Sequence, residues 1–357
     1  MAYYFEKKFY NRIGKIPEIS YEVMRRRQNK RFNEIVDKSN KGGYIWIDPD
    51  LRGQMLKSVV SHDLRSAYCG EFVKGDDFPI GSVGKTTKSF ATVLKEEKWW
   101  AILLEANERP QKRFLNWLKP FEENGKWYFF LEIYDYKCIE LFNRQDVLNQ
   151  FTIKEIYVCN KVGRIHSEVR KALVDIFEER NKMRDDGDAR EKFLKFQLEV
   201  AYGKGIQKRD YKGEKYFRYF CPQLSYHALT RTHYELCLMI SRLEFDITAV
   251  DTDSFKTQSP LAENLVFQRN KELKQQLADA GFPDTTIGTW KYEGCYNKFV
   301  QFAKKVYAYE KDGKLECKFA GCNAEQLKAY LDATANCDIE WLMQEGKVVG
   351  GTVWKSV

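Results

Sequence analysis

Histidine is scarce in this chain, with four residues in 357, and no two cysteines form a Cys-x-x-Cys pair. The nine cysteines (Cys69, Cys138, Cys159, Cys221, Cys237, Cys295, Cys317, Cys322 and Cys337) are scattered and odd in number. Neither a zinc site nor a disulfide framework is expected from them; they read as reduced thiols in a core. No uninterrupted apolar run is long enough to span a bilayer, so no membrane partner is expected. The first residues, Met-Ala-Tyr-Tyr-Phe-Glu-Lys-Lys, lack the apolar segment and cleavage site of a signal peptide. The expected location is the cytoplasm, or the host cytoplasm for a mobile element.

A composition of 43% hydrophobic and 31% charged residues suits a globular protein, and 357 residues suit two or three subdomains. The net charge of +8 hints at a polyanionic partner. Aromatic content is high, at 15%. Basic and aromatic residues interleave from Lys208 to Tyr219, a mixture that suits phosphate contacts with base stacking and equally an exposed hairpin. The stretch Tyr21 to Phe32 is basic and helical in character. It reads as a nucleic-acid face or a solvated one.

The chemistry concentrates in Ala249-Val250-Asp251-Thr252-Asp253-Ser254-Phe255. Phe245 to Thr248 before it read as a short strand. Residues two apart on a strand project to one side, so Asp251 and Asp253 can face the same way. Carboxylates held that close repel each other unless a cation intervenes. Magnesium takes oxygen ligands, commonly one or two carboxylates plus substrate phosphates. By itself Asp-x-Asp is more often an acidic turn. Two upstream features change the balance. Asp63 ends a strand (Lys57 to His62) and is followed by Ser66 and Tyr68, and a helix from Ala189 to Gly203 places Lys192, Lys195, Glu199 and Tyr202 on one stripe. Phe193, Phe196 and Val200 are its expected packing face, and Gly203-Lys204-Gly205 its stop. Two metal ions roughly 4 Å apart that activate a 3′-hydroxyl and stabilise pyrophosphate need carboxylates from separate strands and a cation for the triphosphate.

Elsewhere the pattern predicts strands at Lys98–Leu104, Lys126–Ile133 and Ile153–Cys159, within an inserted αβ block of residues 80–165 that carries no evident chemistry. A short helix at Gln145–Phe151 lies inside it. Further helices are expected at 163–183, 222–241, 261–280, 296–303 and from Ala324 onward, the last capped by Asn323. Asp312-Gly313 is the strongest hairpin signal, joining a strand at 304–309 to one at 314–319. A last strand pair flanks Gly350-Gly351.

These motifs, in this order, resemble the family B DNA polymerases, most closely the protein-primed enzymes of phages and linear plasmids. Asp63-Leu64-Arg65-Ser66-Ala67-Tyr68 resembles their motif A, Asp-x-x-Ser-Leu-Tyr-Pro. Lys195-Phe196-Gln197-Leu198-Glu199-Val200-Ala201-Tyr202-Gly203 resembles motif B, and Asp251-Thr252-Asp253-Ser254 matches motif C. Lys305-Val306-Tyr307 is similar to the Lys-x-Tyr motif that contacts the primer, and Lys41-Gly42-Gly43-Tyr44 to the Tyr-x-Gly-Gly motif that contacts template. The likeness runs from about Gly42 to the C-terminus.

The resemblance implies an α+β right hand, with an antiparallel palm, helical fingers and a small thumb. It implies two Mg²⁺ ions, with Mn²⁺ as a substitute, held by Asp63, Asp253 and the Leu64 carbonyl with Asp251 assisting. Leu64, Ser66, Tyr68, Lys195, Tyr202, Arg180 and Arg184 would bind the incoming dNTP, Tyr68 as sugar gate. Gly42, Gly43, Thr252, Lys305 and Tyr307 would bind DNA primer–template. The implied segments are 1–55 (basic, with the Gly-Gly motif), 56–80 (palm), 81–162 (an insertion resembling the terminal-protein region), 163–205 (fingers), 206–310 (a short basic hairpin and the rest of the palm) and 311–357 (thumb).

The chain departs from the pattern at Glu199-Val200, where the family has Asn-Ser or Asn-Thr, at Cys69, where Pro is usual, and at Asn40, where Tyr is usual. Only 62 residues precede Asp63, so no 3′–5′ exonuclease is expected, and the short hairpin implies reduced processivity and strand displacement. A terminal protein, a separate exonuclease or a single-strand-binding protein are the implied partners. Two other readings stay open: template-independent or primase-like nucleotidyl transfer, and a nucleic-acid-binding replication factor without activity. Product formed without template would favour the former, and DNA binding without incorporation the latter.

Overall fold

The computed structural model describes residues 29–40, 42–108, 118–206, 221–320, 338–344 and a few short pieces up to Val353. In chain order these form α1 (Lys30–Ser39), β1 (Tyr44–Ile47), β2 (Met55–Leu64), α2 (Ala67–Lys74), β3 (Phe78–Pro79), β4 (Val83–Thr86), α3 (Phe90–Glu96), β5 (Trp100–Ala106), β6 (Phe121–Glu123), β7 (Lys126–Glu132), α4 (Ile133–Leu141), β8 (Thr152–Cys159) and β9 (Val162–Gly163). There follow α5 (Ser167–Asp185), α6 (Glu191–Ile206), α7 (Pro222–Arg242), β10 (Ala249–Thr252), β11 (Ser254–Thr257), α8 (Ala262–Asp279), β12 (Trp290–Ala303), β13 (Val306–Lys311), β14 (Lys314–Phe319), α9 (Ile339–Met343), β15 (Val348–Val349) and β16 (Thr352–Val353). This mixture of helices and antiparallel sheets is α+β. The basic stretch at 21–28 and the interleaved hairpin at 208–219 lie outside the described residues, and of the helix expected from Ala324 only Ala329, Asp332 and Ala333 are described, all three helical. Among the described residues no helix is long and apolar enough to cross a membrane. Five of the described cysteines are buried.

The chain divides into two compact units. One comprises Met1–Gly42, Arg65–Leu238 and Arg269–Thr289. It contains a five-stranded antiparallel sheet in the order β4-β8-β5-β7-β6. Aromatic side chains build one core: Phe32 from α1 sets its ring edge-on against Trp99, Phe130 and Tyr157. A second core gathers Phe72 and Val73 of α2, Leu173, Ile176 and Phe177 of α5, and Leu194 and Leu198 of α6.

Two expectations for α6 change here. Its buried face is Leu194, Gln197, Leu198 and Val200, while Phe193 and Phe196 stay exposed. Apolar residues stood at both sets of helical spacings, and only the neighbouring helix decides which set is covered. The helix also runs through Gly203 and Gly205 to Ile206. Gly205 is a point of close approach, since a Cβ there would lie 1.9 Å from the Ser225 hydroxyl.

The same unit holds a largely buried ionic network. His227 of α7 contacts Glu132 at 2.6 Å and Asp77 at 3.3 Å. Arg231, one turn on, bonds Asp77, the Tyr134 hydroxyl and, at 2.8 Å, Glu71. Glu71 also pairs with Lys74 at 2.7 Å. Such charges are tolerable in a core only because each has partners.

The second unit comprises Gly43–Leu64, Met239–Gln268 and Trp290–Val357. Its centre is a seven-stranded antiparallel sheet in the order β1-β10-β11-β2-β12-β13-β14. The β13–β14 hairpin turns at Asp312-Gly313, both with left-handed backbone (φ 53° and 72°), as this dipeptide favours. The helix expected at 296–303 is instead the second half of β12. Tyr296, Phe299 and Val300 have helical spacing, but from Phe299 to Phe302 both faces of the strand are buried, which erases the alternation of a half-exposed strand. Residues 245–248, expected as a strand, instead lead out of a turn at Leu243–Phe245 in which Glu244 and Phe245 both have positive φ. The strand begins only at Ala249. The strand pair around Gly350-Gly351 forms, Val349 opposite Thr352.

Candidate active site

Three strands of the second unit carry the acidic residues. β10 and β11 are joined by the single residue Asp253. So tight a reversal needs Thr252 in left-handed backbone (φ 66°) and is closed by the Asp253 N–H donating to the Asp251 carbonyl at 2.8 Å. The Ser254 hydroxyl donates to the same carbonyl at 3.2 Å. β2 fixes the turn from outside, because the Leu64 N–H donates to the Asp253 carbonyl at 2.9 Å.

Register does the rest. Asp251 lies opposite Ser254, Ser254 opposite Asp63, and Asp63 opposite Lys291 of β12. Residues directly opposite in an antiparallel pair share a face. The four therefore form one row across four strands, with Asp253 at its end of the sheet. Gly43 packs on the reverse of this turn, where a Cβ would lie 2.3 Å from Thr252 Cγ2. Tyr44 then pairs with Thr252.

The three carboxylates are not equivalent. Burial pushes Asp63 up to about 8, assisted by the charges of Asp253 and Glu293, while Lys291 and Lys256 act the other way. Burial raises Asp253 to about 6, and Asp251 and Glu293 add to it. Burial acts on Asp251 in the same sense, but Lys318 and Lys305 outweigh it and hold this carboxyl below its ordinary value. Those lysines stand 3.2 Å and 3.4 Å from its two oxygens. Asp251 is thus neutralised by the protein's own cations, whereas Asp63 and Asp253 remain mutually repelling.

A pair of half-buried, repelling carboxylates with oxygen donors alone fits a hard divalent cation. Among the described residues no three His, Cys, Asp or Glu side chains close around one ion.

Four residues of this face were not singled out from the sequence. Glu293 sits at the β-bulge between Tyr292 and Gly294, which turns it toward Ser61, whose hydroxyl lies 3.4 Å from its carboxylate. No local signal announces a bulge there. Lys291 and Lys256 reach the site only through strand pairing. Lys318 was accessible in principle: a two-residue turn at Asp312-Gly313 sets Lys318 opposite Tyr307. Tyr307 itself is buried, with Lys256 and Lys318 over its ring at 4.9 Å and 5.7 Å from the centroid.

The other sequence candidates lie in the first unit, except Leu64, which ends β2. Tyr68 of α2 stacks on Tyr202 of α6, ring centroids 4.0 Å apart and 13° from parallel. Burial raises the Tyr202 phenol, and its carbonyl accepts from Ser225 at 3.0 Å. Ser66 precedes α2 in left-handed backbone (φ 48°). Lys195 and Glu199 are both exposed and stand 3.9 Å apart. Arg180 is bound to Glu191 at 3.1 Å, bracing α5 against α6, and Arg184 lies 3.6 Å from Asp185. Gly42, with φ 68°, ends this unit before β1.

With this geometry in view, solved structures supply a comparison. The chain is similar to phi29 DNA polymerase complexed with primer-template DNA and incoming nucleotide, with a TM-score of 0.57 and 12% identity over 86% of this chain and 57% of that one. What the two share is the fold. The post-translocation binary complex of phi29 DNA polymerase with primer-template DNA gives a TM-score of 0.56 at 12% identity, over 89% of this chain and 58% of that one. An orthorhombic crystal form of phi29 DNA polymerase gives 0.54 at 14%, over 89% and 59%. The chain thus spans less than two thirds of the length of these structures. No protein-family model matches it, and no curated protein is significantly similar to it in sequence.

Proposed function

We propose that this chain is a DNA-directed DNA polymerase that transfers deoxynucleoside monophosphate to a primer 3′-hydroxyl. The observation that carries this reading is the Asp63–Asp253 pair, two repelling carboxylates, one on β2 and one in the adjoining β10–β11 turn, beside a third that lysines already neutralise. The shared fold with phi29 DNA polymerase supports it. In this reading the seven-stranded sheet up to Lys311 is the palm, α5 and α6 are the fingers, and the region after Lys311, with the edge strand β14, is the thumb. Residues 81–162 are the insertion that receives a priming protein, so that the first hydroxyl belongs to a protein side chain.

Asp63 and Asp253, with the Leu64 carbonyl, are the groups that would hold divalent cations, Mg²⁺ or Mn²⁺. Two such ions, when bound, lower the pKa of the attacking hydroxyl and neutralise the departing pyrophosphate. Asp251 anchors Lys305 and Lys318 at the mouth of the site, where a primer phosphate exchanges for its carboxylate. Tyr68, its ring held flat by Tyr202, closes the space a 2′-hydroxyl would need. Lys195 pairs with the triphosphate in place of Glu199, a stronger and charge-assisted contact. Arg180 and Arg184 support the same helix pair.

The test is extension of a labelled primer on a template with Mg²⁺, beside Asp253→Ala and a template-free control. Extension that needs template and disappears in Asp253→Ala is expected. Product without template would replace this reading by template-independent transfer. DNA binding with no incorporation, on DNA or on protein, would refute an enzymatic role.

A further inference from the structure

Lys256 lies where a lysine is costly. It stands on β11 two residues beyond Ser254, on the same face as Asp63 and Asp251, and is only 3% exposed. Among the described residues its ammonium makes no direct ion pair; it rests over the Tyr307 ring. A methionine would fill the same space without the desolvation penalty, so the charge calls for a reason.

That reason is its company. Burial lowers the Lys256 pKa, Asp251 and Glu293 draw it back up, Lys318 lowers it, and Asp63 again raises it. Asp63, Asp251, Asp253 and Glu293 face Lys256, Lys291, Lys305 and Lys318, an equal number of opposite charges. Lys305 and Lys318 are exposed and can swing to a phosphate. Lys256 is enclosed and cannot leave.

We propose that Lys256 is a built-in counter-cation of the carboxylate cluster, and that it prevents Asp63 and Asp253 from capturing a divalent ion unless a nucleoside triphosphate arrives with it. A bare dication meets the repulsion of a fixed ammonium in a medium of low dielectric. A dication already bound to triphosphate brings its own negative charge and meets little. Lys256 acts through the field on the carboxylates, as a positioning residue. The proposal rests on reading Asp63 and Asp253 as metal ligands.

The experiment is Mn²⁺ binding to the full chain without nucleotide, followed by electron paramagnetic resonance of the free ion. Wild type, Lys256→Met, Lys256→Gln and Lys256→Arg are compared, each also with Asp253→Asn. Removing one fixed charge from beside a dication is expected to tighten binding roughly tenfold in the Met and Gln variants. The Arg variant should bind as wild type does, and Asp253→Asn should cancel the gain. Folded Met and Gln variants that bind no tighter than wild type, while binding stays dependent on Asp253, would overturn the proposal and leave the metal site standing. No Asp253-dependent binding in any protein would overturn the metal site, and the proposal with it. Wild type decides independently through thermal melting: Mn²⁺ with a non-hydrolysable dNTP analogue should raise the melting temperature well beyond either alone. A full rise with Mn²⁺ alone would overturn the proposal.

Discussion

Replacing Asp253 by Asn should stabilise the metal-free protein at neutral pH. In the folded chain burial and Asp251 raise the Asp253 carboxyl from 3.8 to about 6. A carboxyl whose folded pKa lies above its unfolded value binds more protons when folded. Its penalty is absent below the unfolded value, grows as pH rises from about 4 to about 6, and is complete above that. At 1.36 kcal/mol per pKa unit, the full penalty is about 3 kcal/mol. Asparagine has the same shape and no charge, so it removes this penalty, and it also relieves Asp63, which Asp253 pushes upward. The assay is thermal denaturation in EDTA at pH 4 and pH 7.5. At pH 7.5 Asp253→Asn should melt higher by roughly 5 °C, at 2–4 °C per kcal/mol or less for a chain of this size. At pH 4 the two proteins should coincide. Adding Mn²⁺ with a dNTP analogue should reverse the order at pH 7.5, because only wild type offers both carboxylates. An Asn variant that melts at or below wild type in EDTA at pH 7.5 would refute the claim that these carboxylates repel each other across the turn.

Three further outcomes follow from the packing. Arg231→Met should destabilise the chain by about 3–5 kcal/mol in denaturant titration, since Glu71 and Asp77 would be left as buried charges without their shared cation. Gly205→Ala should cost about 1–3 kcal/mol, because the added methyl meets the Ser225 hydroxyl; a paired Ser225→Gly change should restore part of the loss. Tyr68→Val should leave stability within about 2 kcal/mol of wild type, since the ring is only half-buried. The same variant should raise ribonucleotide incorporation in primer extension by an order of magnitude, and unchanged sugar selectivity would remove Tyr68 from the gate role.

Much of the local architecture was legible without coordinates. Asp312-Gly313 demands left-handed backbone at two successive residues, and the hairpin around it follows from that geometry alone. Helices α5, α7 and α8 begin and end within a few residues of their expected limits, because long apolar periodicity survives whatever packs against it. Asp63, Asp251 and Asp253 stood out by residue type and spacing. What tertiary structure alone decided is which of them carries uncompensated charge. That depends on Lys305 and Lys318 reaching Asp251, and on Lys256 being sealed beneath Tyr307. Those residues lie far apart in sequence and meet through strand register. The second half of β12 was misread as a helix because burial on both faces removes the alternation by which a strand is recognised. Glu293 was invisible for a related reason: a bulge redirects a side chain by one residue, and only the paired strand determines where that residue falls. Residue type and spacing thus select the chemistry this chain can attempt, while long-range pairing sets the charge balance in which that chemistry would run.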